Sequence, residues 1–348
     1  MEYKALLICF ILSVIITPIV KKLAIKIGAT DKPDARKVHK VLMPRLGGLA
    51  IFISFFVGFI FFFPESKYAL PIIIGAGIII LTGVLDDLIE LSPKLKLGGQ
   101  LLAALVVVLG GVQVDFINLP FGGTIEFGLL SIPITIIWII AITNAINLID
   151  GLDGLAAGVS AIALLTISGM AITMGNIFVV FMGFMMLGST LGFLIYNFYP
   201  AKIFMGDTGS LFLGFMIGVL SLLGFKNVTL FSFIIPVIIL GVPISDTIFA
   251  IVRRTIQRKP LSAPDKSHLH HCLINLGYTH PETVLMIYAM SALFSLAAVI
   301  FSQTTLFGAS FVILFLIIMI ELIVEMTGLI GKEYRPILNL IKDYRTKR

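Results

Sequence analysis

Residues 49–63 read LAIFISFFVGFIFFF, and residues 311–320 read FVILFLIIMI. Wound as helices, both runs are apolar on every face, whereas a helix on a water-soluble protein keeps one polar side. The rest of the chain follows suit. Of its 348 residues 58% are hydrophobic and only 13% charged, with a mean hydropathy of +1.09. Soluble domains carry about 25% charged residues, so this chain has too few to cover a water-facing surface. Crossing the hydrocarbon takes roughly 17–25 apolar residues. That length recurs near 4–20, 46–63, 69–85, 98–114, 129–145, 155–174, 177–197, 209–225, 228–250, 283–301 and 305–326. The expected fold is an all-α, polytopic integral membrane bundle of about eleven transmembrane helices, forming one domain over residues 1–348. The first stretch lacks a cleavage site of small residues and runs into a basic loop, which reads as a retained span.

Lysines and arginines orient the bundle. Twenty-two of the 25 fall in residues 21–45, 91–97, 202, 253–266 and beyond 331; Lys4, Lys67 and Lys226 fall on the other side. Positive charge collects on the cytoplasmic face, so the N-terminus is expected outside and the C-terminus inside. The net charge of +6 is explained by topology, and no nucleic-acid partner is expected. Cys9 lies in the first span and Cys272 in a polar loop. They frame no disulfide scaffold, which is compatible with a reducing face.

The outer loops, PESKYA, TMGN, FKNVT and SQTT, are short; a longer stretch at 113–128 suggests a small hairpin. The inner loops, near 21–45, 86–97, 144–154, 198–210 and 252–282, hold the reactive side chains. The first contains DKPDARKVHKVLMPRLGG at 31–48. Its plain reading is orientation and contact with anionic lipid, but Arg36, Lys37, His39, Lys40 and Arg45 also suit phosphate groups. In GVLDDLIELSPKLK at 83–96, Asp86 and Asp87 stand where an apolar helix leaves the bilayer. They are either a polar helix end or carboxylates that hold a proton or a cation. In NAINLIDGLDGLAAG at 144–158, Asn144, Asn147, Asp150 and Asp153 recur every three residues and so fall near one face. Gly154 and Gly158 match a packing motif, which accounts for the glycines but not for two amides and two carboxylates.

In YNFYPAKIFMGDTGSLFLG at 196–214, Asp207 stands at a helix start. A cap is the economical reading; a Mg²⁺ ligand, completed by substrate phosphates, is the alternative. Asp246, in PISDTIFAIVRR at 243–254, can serve the bundle or the site. Three of five histidines, His268, His270 and His271, fall within four residues. Zinc is the weaker reading, for the spacing is poor and no CxxC partner exists. Imidazoles in a loop that also holds Arg and Lys suit contacts to phosphate oxygens, and a solvated basic loop is the plain reading.

Together these motifs resemble the polyprenyl-phosphate N-acetylhexosamine-1-phosphate transferases. The likeness rests on RKVHKVLMPRLGG at 36–48, LDDLIEL at 85–91, NAINLIDGLDGLAAG at 144–158, FMGDTGSLFLG at 204–214 and HLHH at 268–271. HLHH is similar to the WecA/TagO branch, whereas the MraY branch, which transfers phospho-MurNAc-pentapeptide, carries a triple histidine where this chain has Leu269. The resemblance implies transfer of N-acetylglucosamine 1-phosphate from UDP-N-acetylglucosamine to undecaprenyl phosphate, with UMP released. The product would be the lipid-linked sugar that starts cell-envelope polysaccharides. It implies Mg²⁺, or Mn²⁺, as cofactor. Membrane lipid is a further partner, the location is the bacterial plasma membrane, and a homodimer is left open.

Roles follow from the resemblance. Asp86, Asp87, Asp207 and His268 would be catalytic, with Asp207 and Asp87 facing the metal. Lys37, Asn147, Asp150, Asp153, Arg254, His270 and His271 would hold substrate. From another class, a transporter would place its polar groups at midplane in paired repeats. No repeat is found here, and apart from Asp246, Glu321 and Glu325 the spans are nearly free of charge.

Overall fold

The computed structural model describes residues 2–31, 43–118, 123–225, 233–258, 260, 267–331 and 334–339. Thirteen helices are present among them. They are α1 (Glu2–Ile27), α2 (Gly47–Phe62), α3 (Ala69–Ile89), α4 (Pro93–Leu109), α5 (Ser131–Ile149), α6 (Leu155–Thr173) and α7 (Ile177–Asn197). The series continues with α8 (Gly206–Phe225), α9 (Ile234–Ile239), α10 (Gly241–Ile256), α11 (Leu269–Asn275), α12 (His280–Gln303) and α13 (Leu306–Thr327). Eight of these, α1, α3, α5, α6, α7, α8, α12 and α13, are long and apolar enough to cross a membrane. The chain is an all-α polytopic membrane protein.

Among the described residues strand is confined to two short ribbons. Thr30–Asp31 (β1) pairs with Met43–Pro44 (β2), closing the ends of the first basic loop. Lys37 lies outside the described residues. Phe116–Asn118 (β3) pairs with Thr124–Glu126 (β4), with Ile117 opposite Ile125, in the segment expected to form a hairpin.

Two helices differ from their expected spans. The one expected at 98–114 begins earlier, at Pro93, because Ser92 caps it: its Oγ accepts the Leu95 N–H at 3.4 Å. Proline in the first turn costs no hydrogen bond there. The shift takes Lys96 into α4. The one expected at 228–250 is divided at Leu240 into α9 and α10. Pro243 lacks the N–H that would bond the Ile239 carbonyl, so the ladder cannot run through.

α8 is the axis of the bundle. It is buried along its whole membrane-spanning length, with α2, α3, α5 and α6 packed around it. Small residues let these helices approach closely. A Cβ on Gly83 of α3 would lie 2.5 Å from the Thr208 Cα, and one on Gly48 of α2 would lie 2.0 Å from the Gly209 Cα. Both crossings fall at the first turn of α8, so the ends of α2 and α3 meet there. On α6 a Cβ at Gly158 would strike the Tyr288 ring of α12, the packing expected for that glycine pair.

Candidate active site

The first turn of α8 leaves N–H groups with no partner inside the helix. Asp87, at the end of α3, takes them. Its Oδ1 accepts the Asp207 N–H at 3.0 Å, and its Oδ2 accepts the Thr208 N–H at 3.0 Å and the Thr208 hydroxyl at 2.6 Å. Gly206 makes the approach feasible. Its φ of +71° is costly for other residues, and a Cβ there would lie 2.4 Å from the Asp87 Oδ2. The Arg45 guanidinium stands 3.6 Å from Asp87 and 3.9 Å from Asp31. The RLGG segment is pinned alongside, its Gly47 and Gly48 N–H groups donating to the Phe204 and Met205 carbonyls at 2.9 and 2.8 Å.

Asp87 is therefore turned into α8, and the carboxylates that face each other are Asp86 and Asp207. Both converge on Lys96 Nζ, which lies 3.1 Å from the Asp86 Oδ2 and is hydrogen-bonded to the Asp207 Oδ2. Asp86 also accepts the Leu91 N–H at 3.0 Å through Oδ1. Two negative side chains from helices far apart in sequence thus share one cation.

α5 delivers the polar series of 144–153, but not to one face. Asn144 exchanges hydrogen bonds with Gln100 of α4. Asn147 donates to the Ser210 hydroxyl on α8 at 2.8 Å. Asp150 follows the helix, its N–H donating to the Asn147 carbonyl at 3.3 Å, and its carboxyl has no hydrogen-bond or ion-pair partner among the described residues. Burial, with the negative charge of Asp207 and Asp87 nearby, pushes its carboxyl up to about 8. Asp153 turns elsewhere. Its Oδ2 accepts the Ala201 N–H at 2.9 Å, and its own N–H donates to His280 Nε2 at 2.9 Å. Asp153 fastens the 150–154 turn to the 198–203 loop.

The histidine cluster forms the start of α11. His268 precedes the helix, with Nδ1 2.9 Å from the Asp246 Oδ2. The rings of His268 and His270 are parallel, their centroids 6.0 Å apart, and His271 lies 4.2 Å from His270. His270 is buried against Gly151, where a Cβ would come 2.3 Å from Nε2, which places the cluster beside the Asp150 turn. Burial, reinforced by the neighbouring imidazoles, lowers His270 to about 3, so it is neutral at pH 7. Among the described residues neither of its ring nitrogens has a partner, nor has the buried Nε of Arg254. A buried unpaired polar group costs about 1–3 kcal/mol, which a polar ligand at this place would relieve. The adjacent arginine is occupied differently, Arg253 Nη1 donating to the Leu329 carbonyl at 2.8 Å.

Asp86, Asp87, Asp207, Asn147 and Asp150 thus gather at the start of α8, with His270 across the Asp150 turn. Sequence reading missed Lys96, Thr208 and His280. Lys96 counted only towards topology, and neither Thr208 nor His280 carries a local signal of its partner.

Comparison with known proteins identifies the family. Residues 69–225, from the start of α3 to the end of α8, match glycosyl transferase family 4. The chain is 50% identical to the probable undecaprenyl-phosphate N-acetylglucosaminyl 1-phosphate transferase of Bacillus subtilis, over 97% of this chain and 95% of that one. It is 35% identical to the decaprenyl-phosphate N-acetylglucosaminephosphotransferase of Mycolicibacterium smegmatis, over 87% and 84% of the two chains. With the phospho-N-acetylmuramoyl-pentapeptide-transferase of Halalkalibacterium halodurans identity is 30%, over 84% and 95%. Matches of this length and identity place the chain in glycosyl transferase family 4.

Proposed function

We propose that this protein transfers N-acetylglucosamine 1-phosphate from UDP-N-acetylglucosamine to undecaprenyl phosphate, releasing UMP, at the cytoplasmic face of a bacterial plasma membrane. The observation that carries the reaction class is the convergence of Asp86 and Asp207 on one cation at the start of α8. Substrate identity is taken from the B. subtilis relative, whose identity exceeds that of the muramoyl-pentapeptide enzyme by 20 percentage points. The spans number eleven when α2, α4 and the α9–α10 pair are each counted once. The Lys and Arg distribution supports a cytoplasmic C-terminus.

A lipid phosphate oxygen attacks the β-phosphorus of the nucleotide sugar. The new P–O bond joins the two phosphates, and the bond to the bridging oxygen breaks, leaving with UMP. The attacking lipid phosphate oxygen is already anionic at pH 7, so repulsion between reactants is the obstacle, and positive charge at the phosphoryl group reduces it. Lys96 and Arg45 supply such charge from this chain. Neutral His270 donates one N–H, and Arg254 donates from its guanidinium, to diphosphate oxygens. Asn147 ties α5 to α8 and so holds Asp150 towards the nucleotide. Asp87 keeps the first turn of α8 in place.

The donor set fits Mg²⁺, which binds through one or two carboxylates plus substrate phosphates. Asp207 and Asp86 would hold it, since their oxygens already converge on an ammonium; Asp87, sequestered by α8, would act on it through Asp207. When bound, the ion would neutralise charge on the transferring phosphoryl group. No set of three or more His, Cys, Asp or Glu stands ready as a metal cage among the described residues, which leaves substrate oxygens to complete the coordination.

The test is UMP release from purified protein given Mg²⁺, undecaprenyl phosphate and a panel of UDP-sugars. Turnover with UDP-N-acetylglucosamine is expected. Folded protein inactive with every UDP-N-acetylhexosamine would sink the proposal, and turnover with UDP-MurNAc-pentapeptide alone would transfer the chain to the other branch.

A further inference from the structure

Asp246 is an acid buried within α10, only 2% exposed, and the reaction just described leaves it without a task. Burying a carboxylate is costly unless its oxygens are satisfied. Both are satisfied by one short segment. Oδ1 accepts the Leu269 N–H at 2.8 Å, and Oδ2 lies 2.9 Å from the Nδ1 of His268. Its ion-pair partner among the described residues is His268, itself 5% exposed. A carboxylate has no proton to give at neutral pH, so the bond to His268 must run from Nδ1–H to Oδ2. That fixes the tautomer. The proton sits on Nδ1, and Nε2 is left to face whatever enters beside the parallel ring of His270.

We infer that Asp246 is a positioning residue for the transfer reaction: it aligns the His268 ring, sets its tautomer and supplies the countercharge for an imidazolium that donates from Nε2 to a diphosphate oxygen. This rests on the reading of the HLHH segment as a diphosphate contact. The backbone bond to Leu269 serves the same end, because it fixes where α11 begins and hence the direction of the ring. A carboxylate behind a histidine is a recurrent means of orienting a ring and stabilising its charged form. Here it reaches from a broken membrane helix to a loop 22 residues further on.

Asp246→Asn separates this role from packing. The amide has nearly the shape of the acid and its oxygen still accepts the Leu269 N–H, while its NH₂ now donates to Nδ1. His268 is then driven to the Nε2–H tautomer without a countercharge. Two measurements decide the matter. In full-length wild-type protein labelled with ¹⁵N-histidine, neutral His268 should give the Nδ1–H pattern, and Asp246→Asn should convert it to Nε2–H. In kinetics, Asp246→Asn should lower kcat by about 10–100-fold and leave the KM for undecaprenyl phosphate within about twofold. Added to His268→Ala, it should cost less than about threefold more, as coupled residues do.

A wild-type His268 already protonated on Nε2 when neutral would overturn the inference, as would wild-type kcat in Asp246→Asn or full additivity with His268→Ala. The tautomer measurement needs neither a variant nor turnover. An inactive wild-type preparation would therefore count against the proposed reaction and leave this inference to be judged by the spectrum.

Discussion

α8 and α13 are both apolar helices of spanning length, and they sit in opposite surroundings. The α8 span is entirely buried and that of α13 is 17% buried. In water the most apolar segment would be the innermost. Here α13, nearly all Leu, Ile, Val, Met and Phe, faces outward, and α8, with five glycines and a polar first turn, holds the centre. Lipid is as apolar as leucine, so burial of side-chain carbon does not sort the helices; close backbone approach and polar contacts do. The helix that can be approached most closely is also the one on which the candidate site is built.

The contrast can be broken most directly at Asp207. Asp207→Asn keeps the helix start but removes a charge from the shared cation, and turnover should fall by about 10³-fold or more, with an unchanged melting profile in detergent. Near-normal UMP release would remove Asp207 from the site. Next is the crossing that seats α3 on α8. Gly83→Ala puts a methyl group into the Thr208 backbone, and overpacking of this kind costs about 1–3 kcal/mol. Thermal stability should drop and turnover fall on the order of tenfold, because Asp86 and Asp87 ride on the displaced helix; an intact melting temperature would show that α3 and α8 are not held at this contact.

Asp150 sharpens the comparison through pH. Its carboxyl is raised to about 8 by burial and by Asp207 and Asp87, so the folded state holds the proton more tightly than the unfolded one. Its cost to stability is absent near pH 4 and develops as pH rises to about 8. Asp150→Asn should therefore melt a few degrees higher than wild type at pH 8.5, and the difference should shrink as pH falls and vanish only near pH 4. A constant offset across that range would mean that charge is not the cause. The smallest effect belongs to the outer helix. Leu314→Ala on α13, a position 53% exposed, should change stability by less than about 0.5 kcal/mol and leave turnover unaltered. A larger loss would reveal a protein contact on that face.

Much of this was legible in the sequence. Apolar runs located the eight helices of spanning length, and the glycine- and aspartate-bearing segments at helix ends named Asp86, Asp87, Asp207, Asn147 and Asp150, which the structure brings together. What escaped was whatever depends on a partner remote in the chain. LDD sets two acids about 100° apart on a helix, but that Asp87 caps α8 while Asp86 faces Lys96 depends on partners 120 and ten residues away. Even spacing at 144–153 suggests one polar face, but the helix ends at Ile149 and Asp153 turns towards the 198–203 loop. Asp246 showed no destination until the chain returned at His268. Pro243 was visible from the start; that it would split the expected span at Leu240 depended on the carbonyl of Ile239 losing its donor.

Lys96, held between Asp86 and Asp207, has a consequence for how the protein lives between reactions. Its ammonium is tethered, so it neither diffuses away nor requires a reservoir in solution. The two acids consequently carry a built-in countercharge when product has left, and the helix ends they sit on are not forced apart by bare repulsion. Assembly of the bundle should on this account need no dissolved divalent ion. With Mg²⁺ as the proposed cofactor, chelation should silence turnover and leave the melting profile of the bundle unchanged.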